Sequence, residues 1–335
     1  LVGSEMCIRD RNLILLLFWV VLALISLASG QFHIPLEEIF KILFSGGGDE
    51  AAKSVMLDVR IPRILLSSLC GGALAIAGLS LQAVFKNPLV GPHIVGVSTA
   101  AAFGGALCIL LGLSGLWLAG FAFCFGLAAL FLLYLLAKFV ARADIFSLIL
   151  AGIVINGVFA ALTSLVQYLA DDEEVLPNIV FWLLGSFVSA GYNKVILMCA
   201  IALPASAVLI ALRWRFNLLS LNDDDLRVLG VDVKFLRCTI LALCTALVAV
   251  QVSVSGNIGW VGLVVPHATR LIAGSDHVKL MPACFIAGAI FMLAIDDLSR
   301  SLSSAEIPLG ILSALIGSPI FALLLKRSAK NAKSN

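Results

Sequence analysis

N-P-L-V-G-P-H-I-V-G-V-S-T-A-A-A-F-G-G-A-L-C-I-L-L-G-L-S-G-L-W-L-A-G-F-A-F-C-F-G-L-A-A-L-F-L-L-Y-L-L-A, from Asn87 to Ala137, runs for 51 residues without an Asp, Glu, Lys or Arg. About 20 apolar residues already cross a bilayer, and a single helix of this length would reach about 75 Å against a hydrocarbon core of about 30 Å. The run must therefore hold two spans, and Gly112–Gly115 is the natural turn between them. Outward from it the pattern repeats, with 32 uncharged residues between Arg237 and Arg270 and 26 between Asp144 and Asp171. Over all 335 residues, 61% are hydrophobic and 13% charged, and mean hydropathy is +1.10. A soluble domain carries about twice that charge fraction, so a soluble enzyme, a disordered chain and a nucleic-acid binder are excluded. The chain is an all-α polytopic membrane protein.

Apolar runs read against Gly, Pro and charge punctuation predict ten helices, near 13–30, 62–84, 93–111, 115–138, 145–169, 191–212, 235–254, 260–273, 279–300 and 307–325. Net charge is only +2, so sidedness has to come from the connections. With the first residues in the cytoplasm, 16 of the 22 Lys and Arg fall inside, among them Arg142, Arg213, Arg270 and Lys330, while the acidic run Asp171–Glu174 falls outside. Both termini are thus expected in the cytoplasm. Leu1–Arg11 resembles translated sequencing-adapter sequence and is expected to be a non-native leader. One permease domain at 12–327 and a polar cytoplasmic tail at 328–335 complete the expected organisation.

Small residues recur at every fourth position at Ser67, Gly71 and Ala75, at Gly96, Ala100 and Gly104, and at Gly310, Ala314 and Ser318. Such stripes let helices approach closely in lipid, and close packing is the reading to prefer over a pore lining. The cysteines form no C-x-x-C pair and have no His at metal spacing, which leaves them as small apolar packing residues. No Asp, Glu or His chain crosses the midplane as a proton relay would require. There is no phosphate loop, H-E-x-x-H or G-x-S-x-G either. A secondary transporter and a membrane-embedded enzyme are the rivals, and each lacks its intramembrane groups. Energy for uphill transport has to come from a partner.

Two segments stand out. Between Arg213 and Arg237, the stretch L-L-S-L-N-D-D-D-L-R-V-L-G-V-D-V predicts a short amphipathic helix over 220–231. Ser220 or Asn222 caps it, Asp223, Asp224 and Asp225 meet the positive end of its dipole, and Gly230 ends it. It reads either as a solvated connector or as a docking helix for a cytoplasmic partner, with Leu226 and Leu229 as apolar contacts and the acids and Arg227 as the rim. At the other face, V-R-I-P-R (Val59–Arg63) and Arg300 put positive charge where the orientation rule disfavours it. Snorkelling or an Asp296–Arg300 i,i+4 pair explains this as well as exposed basic anchors for an acidic extracytoplasmic protein do.

The motifs Arg60–Arg63 (R-I-P-R), Asn87–Leu89 (N-P-L), Gly96–Ser98 (G-V-S), Leu150–Gly152 (L-A-G), Phe181–Ser186 (F-W-L-L-G-S), Leu229–Val231 (L-G-V), Gly262–His267 (G-L-V-V-P-H), Asp296–Arg300 (D-D-L-S-R) and Ile307–Gly317 occur in an order that resembles the FecCD-type permeases. These are the membrane subunits of ATP-driven importers for iron–siderophore, haem and cobalamin. The resemblance runs from about residue 13 to 327. It implies a type II importer permease of ten spans in the bacterial inner membrane, a second copy or a homologous permease as partner, and two cytoplasmic ATPase subunits docked on the coupling segment, about 217–233. ATP and magnesium would be held by those subunits, with no cofactor in this chain. An extracytoplasmic solute-binding protein would dock through Arg60, Arg63 and Arg300. The fifth span would line the translocation path and its gate through Ile145, Phe146 and Asn156. An iron–siderophore-type chelate is the expected cargo, with haem or cobalamin as alternatives. The sequence departs from the family in its triple aspartate at 223–225 and in Asp297, where Thr or Ser is usual.

Overall fold

A computed structural model describes residues 2–30, 32, 34–45, 47–139, 145–171, 173–303 and 305–334. Arg142 and Asp172 lie outside them, and so do the side chains of Ile145, Lys330 and most of the leader and tail. The element order is α1 Val2–Ala28, α2 Leu36–Ser45, α3 Glu50–Ser54, α4 Ile61–Val84, α5 Val97–Leu110, α6 Leu116–Phe139, α7 Ile145–Leu169 and α8 Val175–Leu183. It continues with α9 Tyr192–Ala211, α10 Arg213–Leu218, α11 Asp223–Val228, α12 Val233–Ser255, α13 Val261–Ala273, α14 His277–Ser301 and α15 Leu309–Ser334. Among the described residues, seven helical segments are long and apolar enough to cross a bilayer, and three shorter apolar helices, Val97–Leu110, Val261–Ala273 and Leu309–Leu324, stand beside them. Together these ten coincide with the ten expected from apolar punctuation.

Three differences have local causes. The second span begins a dozen residues early, because Asp49 caps α3 by accepting from the Ala52 N–H and a π-helical turn at Val55–Arg60 carries α3 straight into α4. The third span starts only at Val97, after a 3₁₀ turn at Pro92–Val95 that Gly96 ends at φ +82°. The short helices α2 and α8 lie between spans; α8 carries an internal Pro177 and α2 two acids in its first turn, and neither is long enough to read as a span.

α4 is the central post. Nearly all its side chains are buried, and it packs against α14, α12, α13 and α9. Large apolar side chains of α1, α6, α7 and α9 face outward, as a lipid-facing surface requires. The small-residue stripes prove to be packing devices. Gly71 lies against the Gly288 backbone of α14, Gly104 against Phe121 and Phe125 of α6, and Gly310 against the Leu184 carbonyl. Arg11 of α1 donates to the Lys279 carbonyl in the first turn of α14, and α10 lies at that same end of the bundle, as the tie between Asn217 and Asp276 shows, with α11 following it directly.

Candidate functional site

At the α11 end the chain leaves α10 and enters α11 through Asn222 in an extended conformation (φ −69°, ψ 153°), though the Asn222 side chain makes no capping bond and the Ser220 hydroxyl donates back to the Asn217 carbonyl. The helix is a six-residue piece, Asp223–Val228, inside the 220–231 expected, and Gly230 turns the chain away at φ +74°. The three aspartates do different work. Asp223 receives Arg237 of α12 in a bidentate pair at 2.7 and 2.8 Å and lies 3.8 Å from the Lys86 ammonium. Hydrogen bonding by Arg237, reinforced by the nearby positive charge, holds the Asp223 carboxyl below its ordinary range. Asp224 pairs with Arg227 at 3.2 Å on an exposed surface, where an ion pair contributes little. Asp225 faces outward.

Leu226 and Leu229 do not share an exposed face as expected. Leu226 is fully buried in the chain's own core, whereas Val228 (88% exposed) and Leu229 (59%) project outward. The i,i+3 spacing puts two side chains together only on a continuous helix, and this helix stops at Val228 with Leu229 already at its C-cap (ψ 5°). The outward apolar pair at this end is therefore Val228 and Leu229.

The seat beneath α11 comes from the loop after α4. Lys86 takes a positive φ of 50°; the Asn87 N–H donates to the Gln82 carbonyl, and the Asn87 side chain accepts from the Leu89 N–H. Lys86 Nζ then reaches the Leu221 carbonyl at 2.6 Å. Beside it lies a cavity of about 310 Å³ lined by Gln82, Lys86, Asn87, Phe216, Arg270 and His277. On its far side, Asn217 Nδ2 donates to Asp276 at 2.7 Å while Asn217 Oδ1 accepts from the His277 N–H. Burial pushes the Asp276 carboxyl up, but the bonds from Asn217 and the Val278 N–H outweigh it and leave the group below its ordinary value.

Along α7, Phe146 is exposed together with Leu150, Ile153, Val154, Val158, Leu165 and Tyr168, a stripe that neighbouring helices of this chain leave uncovered. Asn156 is not on it. Its amide donates to the His93 carbonyl at 2.8 Å, and its oxygen accepts from the Thr99 hydroxyl, so it ties α7 to the 3₁₀ turn. Gly152 abuts the Ile94 carbonyl on the same side. Asn156 thus positions α7 against the turn, adding a second donor to a His93 carbonyl that already accepts from the Gly96 N–H at 3.2 Å.

At the opposite end, the three arginines expected as exposed anchors are buried and engaged within the chain. Arg63 binds Asp296 of α14 through Nε at 2.9 and 3.0 Å and Nη2 at 2.8 Å, and binds Glu306 through both Nη atoms at 2.9 and 2.7 Å. Arg300 pairs with Asp297 and donates to the Ser26 carbonyl at 2.8 Å and hydroxyl at 2.6 Å. Arg60 donates to the carbonyls of Leu27 and Phe32. The guanidiniums stitch α1, α4 and α14 together, and the carboxylates and carbonyls they bind offset much of the cost of taking these charges out of water, while Arg300 Nε and Asp297 Oδ2 are left without a hydrogen bond among the described residues. Asp297, the departure from the family pattern, serves as the partner of Arg300; the i,i+4 Asp296 lies farther, at 3.9 Å.

Among the described residues no three His, Cys, Asp or Glu come together as a metal site. What the arrangement offers is a short apolar knob on a charged seat at one end, an open helix face along the bundle and a locked ionic cluster at the other end. The sequence profile of the FecCD transport family matches residues 16–327. The chain belongs to the FecCD transport family. The molybdate import system permease protein MolB of Haemophilus influenzae is 44% identical over 326 residues, covering 95% of this chain and 96% of that protein. The hemin transport system permease protein HmuU of Yersinia pestis is 33% identical over 320 residues, covering 93% and 94%. A solved metal-chelate type ABC transporter in an inward-facing conformation superposes with a TM-score of 0.89 at 42% identity, covering 95% of this chain and 99% of that one.

This FecCD permease is accordingly a multi-pass membrane subunit of an ABC transport system, similar to relatives that are transport permeases. Reading its sequence alone misses Lys86, Arg237 and Val228. The signal for the first two is the cation on either side of the aspartate run; without the fold, nothing says that the loop after α4 lies under α11.

Proposed function

We propose that this FecCD permease is the membrane subunit of an ATP-driven importer for a small oxyanion of the molybdate type. The observation that carries the cargo reading is its 44% identity, over nearly the full length of both chains, to a permease whose name states molybdate import. The likeness at 42% identity to a metal-chelate type transporter supports a second reading, the iron-chelate cargo that the motifs suggest. Labelled molybdate, ferric siderophore, haem and cobalamin, offered to cells lacking or carrying the gene with and without ATP depletion, distinguish the two. Loss of ATP-dependent molybdate uptake on deletion is the expected result, and loss of a ferric chelate with molybdate uptake intact overturns it.

Two cytoplasmic ATPase subunits dock at the α11 end, with Val228 and Leu229 seated in the partner and Asp224, Asp225 and Arg227 at the rim; Asp223 and Leu226 hold the knob from within. A second permease copy faces the open α7 stripe, so that the path runs between protomers and Phe146 lies along it. The binding protein meets the opposite end, whose shape the Arg60, Arg63 and Arg300 cluster maintains. ATP-driven closure of the ATPases is transmitted through α11 into rocking of the bundle.

An apolar side chain seated at the centre of an interface is worth about 2 kcal/mol. Val228→Asp with Leu229→Asp is therefore expected to reduce ATPase recovered with the permease by more than roughly tenfold, leaving the melting of the permease unchanged. Unaltered co-purification would remove the knob from the interface.

A further inference from the structure

The motif Phe181–Ser186 finds no use in the sites above, yet the chain builds a cavity around it at the end opposite α11. The cavity is about 230 Å³ and is bounded by Ile109 of α5, Leu118 of α6, Phe181 and Trp182 of α8 and Val254 of α12. Its polar groups are Asn178, Ser186, Ser189, Lys194 and Ser255. No carboxylate lines it, and among the described residues none pairs with Lys194, whose ammonium donates to Ser189 Oγ at 2.6 Å. Lys194 stands half-buried in the first turn of α9, and no carboxylate of the cavity lining offsets its charge.

The hydrogen-bonding inventory is one of donors. Lys194 has three N–H groups and uses one. The Ser189 oxygen accepts that bond, which leaves its own proton to give. The Ser186 oxygen accepts from the Val188 N–H at 3.0 Å and likewise keeps its proton free. The Asn178 side chain makes no hydrogen bond among the described residues and adds an amide donor. Ser255 is already committed, because it donates to the Gln251 carbonyl and accepts from Gln251 Nε2.

The loop that carries the serines is rigid. Ser186 N–H donates to the Ser255 carbonyl, and the Leu309 and Gly310 N–H groups donate to the carbonyls of Gly185 and Leu184. Gly185 and Gly256 take φ of 75° and 72°, and a Cβ on Gly256 would lie 2.2 Å from the Trp182 carbonyl. The Trp182 ring in turn rests on Gly105, where a Cβ would come within 2.0 Å of it. The Ser186 hydroxyl, on a backbone fixed in this way, pays little ordering cost when an anion arrives.

We propose that this cavity is a binding site for a tetrahedral oxyanion, with Lys194 supplying the charge and Ser186, Ser189 and Asn178 the orienting hydrogen bonds. Its volume lies below the range of about 300–1,000 Å³ that holds drug-sized ligands, which suits a four-oxygen anion better than a bulky chelate. The inference rests on the oxyanion-cargo reading, and the test separates the two.

Permease with its ATPase in nanodiscs is titrated with molybdate, with tungstate and sulfate as further arms, and the same variants are assayed for labelled molybdate uptake in cells. Lys194→Met is expected to weaken molybdate binding at least tenfold and to raise the apparent KM for uptake while ATPase co-purification stays unchanged. Lys194→Arg, which keeps the charge, is expected to retain most of the binding, and Ser189→Ala to lose severalfold. If wild-type cells import molybdate but Lys194→Met binds and transports it like wild type, the site is wrong and the cargo reading stands. If nanodisc binding depends on Lys194 while cells import only a ferric chelate, the site stands and the cargo reading falls. Absence of molybdate binding and uptake in the wild type overturns both.

Discussion

Asp296→Leu is expected to lower the stability of the permease by about 3–5 kcal/mol, the usual consequence of removing one partner of a buried ion pair, read as a lower unfolding midpoint in a fixed detergent. The Asp296 side chain is wholly buried, and it takes three hydrogen bonds from Arg63 across the α4–α14 contact. Without it the Arg63 guanidinium keeps only Glu306, a carboxylate at 24% exposure that water already reaches. Glu306→Gln is for that reason expected to cost much less. The double variant Arg63→Met with Asp296→Leu should recover most of the loss, since the expense lies in leaving one charge unpaired rather than in lacking the pair. A wild-type melting midpoint for Asp296→Leu would mean that the cluster does not hold α4 to α14. Charge reversal of Arg60 and Arg63 is likewise expected to disturb the bundle itself, so it makes a poor probe of binding-protein docking.

The ten apolar helices were legible because lipid leaves a strong one-dimensional signal: charge is excluded for about 20 residues at a time and returns at each turn. What stayed hidden depends on register between distant helices. Arg63 and Asp296 are 233 residues apart, and the visible i,i+4 spacing of Asp296 and Arg300 gave a pair that does form, at 3.9 Å, but not the closer one from Arg63. The same holds at the α11 end, where the acid run was conspicuous but its assignment of tasks follows from Arg237 and Lys86 standing on one side of Asp223 only. Leu226 was misread because a six-residue helix does not sustain the periodicity from which an exposed face is inferred. The tie that Asn156 makes to the 3₁₀ turn at Pro92–Val95 was hidden too, because such turns carry little sequence signature beyond the Gly-Pro pair that opens this one.

Close backbone approach gives the other large expected effect. A Cβ placed on Gly78 would lie 1.8 Å from the Gly262 carbonyl oxygen of α13, and one on Gly71 would lie 2.1 Å from the Gly288 carbonyl of α14. Both neighbours are helix backbone, which cannot rotate out of the way, so a methyl group forces the helices apart along their whole contact. Helix propensity argues the other way, since Ala in place of Gly is worth about 0.8–1.0 kcal/mol in a helix interior. Steric cost wins: Gly71→Ala and Gly78→Ala are each expected to be net destabilising by about 1–3 kcal/mol, the range for overpacked cores, and the valine variants by more. Gly72→Ala meets the Phe285 side chain first, at 2.7–2.8 Å, rather than backbone, and since a side chain can shift it should lose less. Gly120→Ala, with nothing within 4 Å, should be neutral or gain from propensity. Unfolding midpoints measured for the series in one detergent decide between packing and propensity, because the packing account requires Gly78→Ala to melt well below Gly120→Ala. Equal midpoints would mean that α4 and α13 are free to move apart, and the tight post around which the permease is built would have to be abandoned.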